Sequence, residues 1–179
     1  MPPTRSPCPS FTAFAVAALL LWPGIARADA VADVQLLITR ADLAGALQRA
    51  ERAMTAQPQD PRMRFLRGVV LMDLQRNDEA LAVFTDLSQE YPELPDPHNN
   101  IALLHVRAGR LAQALQSLQT ALRNDPDHRT ARLNLGQVHL MLAAQAWAQA
   151  AADAPLDALQ QQQLDAVRAL LAGSASGAR

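Results

Sequence analysis

The sequence predicts an all-α chain, a solenoid of stacked helical hairpins closed by a C-terminal capping helix. Three observations carry this. Pro58, Pro92 and Pro126 recur at a step of 34 residues. Small residues keep the same step: Ala46, Ala80, Ala114 and Ala148 form one series, and Gly68, Ala102 and Gly136 another. Apolar residues are spaced helically almost throughout, and no window alternates like a strand. A period of this length, with small residues at set offsets, marks an array in which each hairpin buries its apolar face against the next. Such an array offers a binding surface more readily than an active site.

The first element is not fold. Arg5 precedes a twelve-residue apolar run, Phe11 to Trp22, and Pro23-Gly24 is expected to break any helix there. Ala26-Arg27-Ala28 then supplies small residues at the −3 and −1 positions of a cleavage site, so residues 1–28 read as a secretory signal peptide and the mature chain is placed in the periplasm. Ala28-Asp29-Ala30 fits the same rule, which leaves cleavage after Ala30 as the alternative. The run is short of the ~20 residues a spanning helix needs, so no stable membrane insertion is expected after cleavage. Cys8 precedes the run, where no lipid attachment follows, and the mature chain holds no cysteine. About 150 residues bury a sufficient core without disulfides. All 16 basic residues are arginine. Two leave with the signal, so fourteen face seventeen acidic residues, a net charge of −3. That balance gives no support to nucleic-acid binding.

Prolines and Asp/Asn mark the joints that follow, at Pro58-Gln59-Asp60-Pro61, at Pro92 to Pro97, and at Asn124-Asp125-Pro126-Asp127. They divide the chain into a truncated first unit (29–60), a second (61–94), a third (95–128), and a degenerate fourth with capping helices (129–172). Each full unit accommodates two antiparallel helices and a tight turn. Met141 to Gln149 contains no turn residue, so 130–152 is expected to continue as one long helix, with 156–172 as a final packing helix. Leu164, Val167, Leu170 and Leu171 form its apolar stripe, and 173–179 is expected to be disordered. Gly68, Ala102 and Gly136 on first helices, against Ala80, Ala114 and Ala148 on second helices, are expected to permit close approach, with Phe84 and Leu118 filling the space between hairpins.

The units resemble tetratricopeptide repeats. The second carries Gly68, Leu71, Ala80, Phe84, Leu87 and Pro92 in that pattern. The third carries Ile101-Ala102, His105, Gly109, Ala114, Leu118, Ala121 and Pro126. The first fits at Leu37, Ala46, Ala50, Ala53 and Pro58, and the fourth opens with Leu135-Gly136, His139 and Ala148 before departing at Pro155. The resemblance covers about residues 30 to 150. It implies a concave groove lined by first helices, along which a protein or peptide partner lies. The inward positions would be Arg62, Phe65, Leu66, Val69 and Met72, then Asn99, Asn100, Leu103 and Arg107, then Asn134 and Gln137. Asn100 and Asn134 lie 34 apart. Each amide offers donor and acceptor, which suits either an extended peptide backbone or the neighbouring helices. Phe65, Leu66, Val69 and Met72 make an apolar strip, exposed in an open groove or covered by the N-terminal helix. Some relatives clamp a terminal carboxylate with basic residues. This chain has no lysine, and Phe65 stands where such a clamp is basic, so that mode is not expected.

Little else carries chemistry. His105 and His139 are 34 apart on one face. A metal site is one reading, and helix packing is the other, since the family usually carries tyrosine here. No carboxylate or cysteine completes a tetrahedral set, so no metal and no cofactor is expected. Asp78-Glu79 and Glu90-Glu93 sit near helix ends, where they serve the dipole. No nucleophile elbow or glycine-rich phosphate loop is present, and no enzyme is expected. The reading is a periplasmic scaffold or adaptor acting in the cell envelope. Its rivals are a self-associating assembly factor of a secretion, pilus or outer-membrane complex, and a metal-binding helical protein. The oligomeric state and the partner's identity are left open.

Overall fold

A computed structural model describes residues 23–176 of the chain. Its helices are α1 (Pro23–Thr39), α2 (Leu43–Ala56), α3 (Pro61–Asp73), α4 (Asn77–Glu90), α5 (Pro95–Arg107), α6 (Leu111–Asn124), α7 (Arg129–Asp153) and α8 (Ala158–Ser176). Three hairpins, α1–α2, α3–α4 and α5–α6, stack in chain order, each helix packing on the next. First helices also meet along the inner side, α1 on α3 and α5 on α7.

The turn inside each hairpin repeats to the residue. Ala41, Gln75 and Gly109 have positive φ (58°, 61° and 71°) and are 34 apart. At each, two backbone bonds close the helix end: Asp42 N–H to Leu37 O and Ala41 N–H to Ile38 O, then Arg76 to Leu71 and Gln75 to Met72, then Arg110 to His105 and Gly109 to Val106. This pair of bonds satisfies carbonyls the helix end leaves open. Between hairpins, Asp60, Leu94 and His128 hold the N-cap register. The Asp60 carboxylate accepts from Arg62 N–H, His128 Nδ1 accepts from Ala131 N–H, and Leu94 makes no side-chain cap.

Three apolar clusters follow one another along the stack. Val34, Ala46, Ala50, Met63 and Val70 form the first, Leu71, Phe84, Leu87, Ile101 and Leu104 the second, and Ala102, Ala114, Leu118, Ala131 and Val138 the third. Phe84 and Leu118 are fully buried, as their register predicts. Burying such a side chain contributes about 1.5–3 kcal/mol. Leu164 of α8 is 1% exposed and seals the far end.

Several expectations need correction. Pro23 opens α1, and Gly24 lies inside its first turn where a break was expected, because a proline at the first helical position costs no hydrogen bond. Gly68 does permit close approach, but a Cβ at Gly136 would meet nothing within 4 Å. Ala148 is exposed on an uninterrupted α7, which runs on through the position where the earlier units turn. Leu170 is 60% exposed, so the packing stripe of α8 is Leu164, Val167 and Leu171. Gly173 to Ser176 extend α8 where disorder was expected. The apolar run Phe11 to Trp22 and residues 177–179 lie outside the described residues.

Candidate binding groove

The inner side carries an open apolar cavity of about 350 Å³ between α3 and α5. Phe65 and Leu66 of α3, Leu87 of α4 and Pro97 of α5 line it, Val31 of α1 adds a wall, and Arg62 and Asp96 contribute the charge. Phe65 is held by Phe84 below it, with ring centroids 5.5 Å apart and planes tilted by 58°. That tilted contact fixes the aromatic floor.

The charges differ in freedom. His128 Nδ1 accepts the cap hydrogen from Ala131 at 3.0 Å, so its proton resides on Nε2 and points at Asp96 Oδ1, 3.0 Å away. Asp96 is thereby oriented. Arg62 is exposed and forms no ion pair among the described residues.

The asparagines separate into two roles. Asn99 and Asn100 are both buried, at 6% and 8% exposure. Asn134 Nδ2 donates to Asn99 Oδ1 at 2.9 Å, tying α7 to α5. That pair is structural. The Asn100 side chain, 8% exposed, makes no side-chain hydrogen bond among the described residues, and its amide is not sealed from solvent.

The remaining sequence-predicted positions divide in the same way. Arg62 and Phe65 stand at the cavity. Val69 and Leu103 are half-buried against the central cluster, and Met72 is inside it. Arg107 lies at the turn end of the stack, where Nη1 donates to Met72 O (2.9 Å) and Asn77 Oδ1 (3.1 Å), a link between hairpins and not a groove cation. Gln137 is half-buried on α7, three residues beyond Asn134. The N-terminal helix walls the apolar strip at Val31 without covering it.

Sequence reasoning did not place Val31, Leu87, Leu94 and Pro97 around this cavity. One signal was present: Leu94 occupies the N-cap register where Asp60 and His128 are polar. A leucine there gives up a cap and gains apolar wall.

Two histidines have lowered pKa values. Burial pushes the His98 imidazole below its ordinary 6.5, with Arg123 adding to the effect and the Pro92 carbonyl opposing it, and His98 Nε2 is buried without a partner. His105 is lowered by burial and then by Arg110, whose Nε donates to His105 Nδ1 at 3.0 Å. That bond occupies one of the two ring nitrogens. No three His, Cys, Asp or Glu side chains among the described residues are grouped to hold a metal. No described helix is long and apolar enough to cross a membrane.

A family model described as tetratricopeptide repeat matches residues 32–95 and 99–166. No curated protein matches the chain. Among solved structures, a thermophilic tetratricopeptide repeat protein of Thermus thermophilus is similar, with a TM-score of 0.61, 22% identity, and coverage of 78% of this chain and 79% of that one. The first tetratricopeptide domain of Spaghetti (RPAP3), bound to the HSP90 peptide SRMEEVD, gives 0.59 at 14% identity, covering 64% and 90%. YrrB, a repeat protein with an unusual peptide-binding site, gives 0.55 at 25% identity, covering 59% of this chain and 54% of that one.

Proposed function

We propose that this chain, which belongs to the tetratricopeptide repeat family, is a non-catalytic periplasmic scaffold that holds a protein or peptide in the cavity between α3 and α5. The carrying observation is the open apolar cavity between α3 and α5, with Asn100 one helical turn beyond Asp96 on the same face of α5. An extended peptide satisfies both features: one bulky apolar side chain fills the cavity over Phe65 and Leu66, and the backbone meets the amide. Arg62, free of an ion pair among the described residues, favours an acidic residue beside that side chain. Relatives of the same architecture are seen with peptides bound. The signal-peptide pattern supports the periplasmic, cell-envelope setting.

The test is selection from a random peptide library on the mature protein. Selected sequences should share an apolar anchor beside an acidic residue, and Leu66→Glu or Asn100→Ala should lower their affinity at least about tenfold. Circular dichroism spectra should be unchanged in both variants. Selection unaffected by either variant places the binding surface elsewhere. Fractionation of cells expressing the full chain tests the compartment.

Leu159 and Leu170, 63% and 60% exposed on α8, favour one second reading: self-association through the capping helix. A mass by light scattering that rises with concentration, and falls with Leu170→Glu, would establish it.

A further inference from the structure

Of the four first helices, α1 packs on α3 and α5 on α7, while α3 and α5 are not packed on each other. The apolar cavity opens in that gap, and its two charges stand in one register. Arg62 and Asp96 are 34 apart, each the second residue of its helix behind Pro61 and Pro95. They have opposite sign, lie on opposite sides of the gap, and form no ion pair with each other.

A second register explains how each charge is held. Leu94 and His128 are also 34 apart. The Leu94 side chain shares the cavity wall with Arg62 and offers the guanidinium no acceptor. His128 instead offers Asp96 a donor, Nε2–H, 3.0 Å from Oδ1. Because His128 Nδ1 accepts from Ala131 N–H, the ring so bonded carries one proton and brings no positive charge. Asp96 is therefore oriented without being neutralised. Its Oδ2 accepts no hydrogen bond among the described residues, and the side chain is 63% exposed. A segment that fills the cavity and sets an acid against Arg62 meets this carboxylate across the gap, where a cationic group complements it. Neighbouring helices stand ~8–10 Å apart, which is about three residues of extended chain at ~3.3 Å each.

We propose that the groove selects a pair of opposite charges and not an acid alone. Asp96, positioned by His128, takes a lysine or arginine of the partner segment on the α5 side. Arg62 takes an acidic residue on the α3 side, and the apolar anchor lies between them. This rests on the groove reading above. The test is random-peptide selection run in parallel on the wild type and on Asp96→Asn. The wild-type pool should carry a base about three residues from the acid, with the anchor between. The Asp96→Asn pool should keep the anchor and the acid and lose the base. A base missing from the first pool, or retained in the second, overturns the inference and leaves the groove reading standing. Pools without an apolar anchor overturn both. In a selected peptide, replacing the base by glutamine should lower affinity for the wild type about threefold to fivefold, as expected of an exposed pair, and leave affinity for Asp96→Asn unchanged. His128→Asn keeps an N-cap acceptor and removes the Nε2 donor. It should narrow the difference between the two peptides without moving the thermal midpoint. An undiminished difference would overturn the positioning role of His128.

Discussion

Gly68 and Gly136 share a register and differ in their surroundings. A Cβ at Gly68 would lie 2.7 Å from Phe84 Cε1 and 2.8 Å from Cζ, whereas one at Gly136 meets nothing within 4 Å. Phe84 is fully buried and has little room to retreat. Gly68→Ala should therefore destabilise by about 1–3 kcal/mol through overpacking. Gly136→Ala should stabilise by about 0.5–1 kcal/mol, because the unfolded chain loses freedom that a helix interior does not need. Opposite shifts in the urea midpoint check both; shifts of the same sign would refute the packing argument. The 34-residue step makes these glycines look equivalent. What separates them is whether a side chain of another helix reaches the glycine, as Phe84 of α4 does at Gly68 and none does at Gly136. His98 gives a pH dependence at the same scale. Its folded-state pKa lies below the ordinary 6.5 because burial disfavours the cation. The unfolded chain therefore takes up the proton first as pH falls. Stability should be full above about pH 7, decline through 6.5, and level off only below the lowered folded value. His98→Gln should flatten the midpoint-versus-pH curve, leaving the contribution of His105, which is lowered in the same direction.

The turn inside each hairpin is the element that the composition hides. Only Gly109 of the three left-handed residues is a glycine; Ala41 and Gln75 hold the same backbone conformation with a Cβ present. That conformation costs a non-glycine residue about 1–2 kcal/mol. Gln75→Gly should therefore raise stability by about 0.5–1 kcal/mol, and Gly109→Ala should lower it by about 1 kcal/mol. Chemical denaturation of the two variants settles the sign, and a destabilised Gln75→Gly would mean that the glutamine makes a contact worth more than the backbone strain. These positions were not legible as turns one by one, because two of them carry ordinary side chains. Their existence was legible from the period, which places Ala41, Gln75 and Gly109 in one register. The fourth member of that register, Ala143, is inside α7. The absence of a turn residue from Met141 to Gln149 announced this, since no residue there tolerates positive φ without cost. The groove was half-legible for a related reason. Inner-face spacing located Arg62, Phe65 and Leu66, but Leu87 and Leu94 reach the cavity from a second helix and a joint, which helical periodicity alone does not assign.

Over the whole molecule, helices contact mainly their neighbours in sequence, so stability is close to a sum of hairpin terms and the interfaces between them. Such a stack is weakest where it stops. At the far end α7 packs on α8, which returns one deeply buried side chain, Leu164, while Leu159 and Leu170 face outward. Leu164→Ala removes the core of that interface and should cost about 2–4 kcal/mol locally. In a cooperative globule the loss would be shared by every element. In a quasi-one-dimensional array it should be confined to one end. Hydrogen exchange should then accelerate most in α7 and α8, less in α6, and scarcely in α1 to α3. The groove between α3 and α5 should keep its protection, and peptide affinity should stay within about twofold of the wild type. Uniform acceleration across all helices would mean that the cavity wall depends on the distant cap. The binding surface and the capping helix would then form one cooperative unit, and truncating α8 would abolish binding along with the end of the stack.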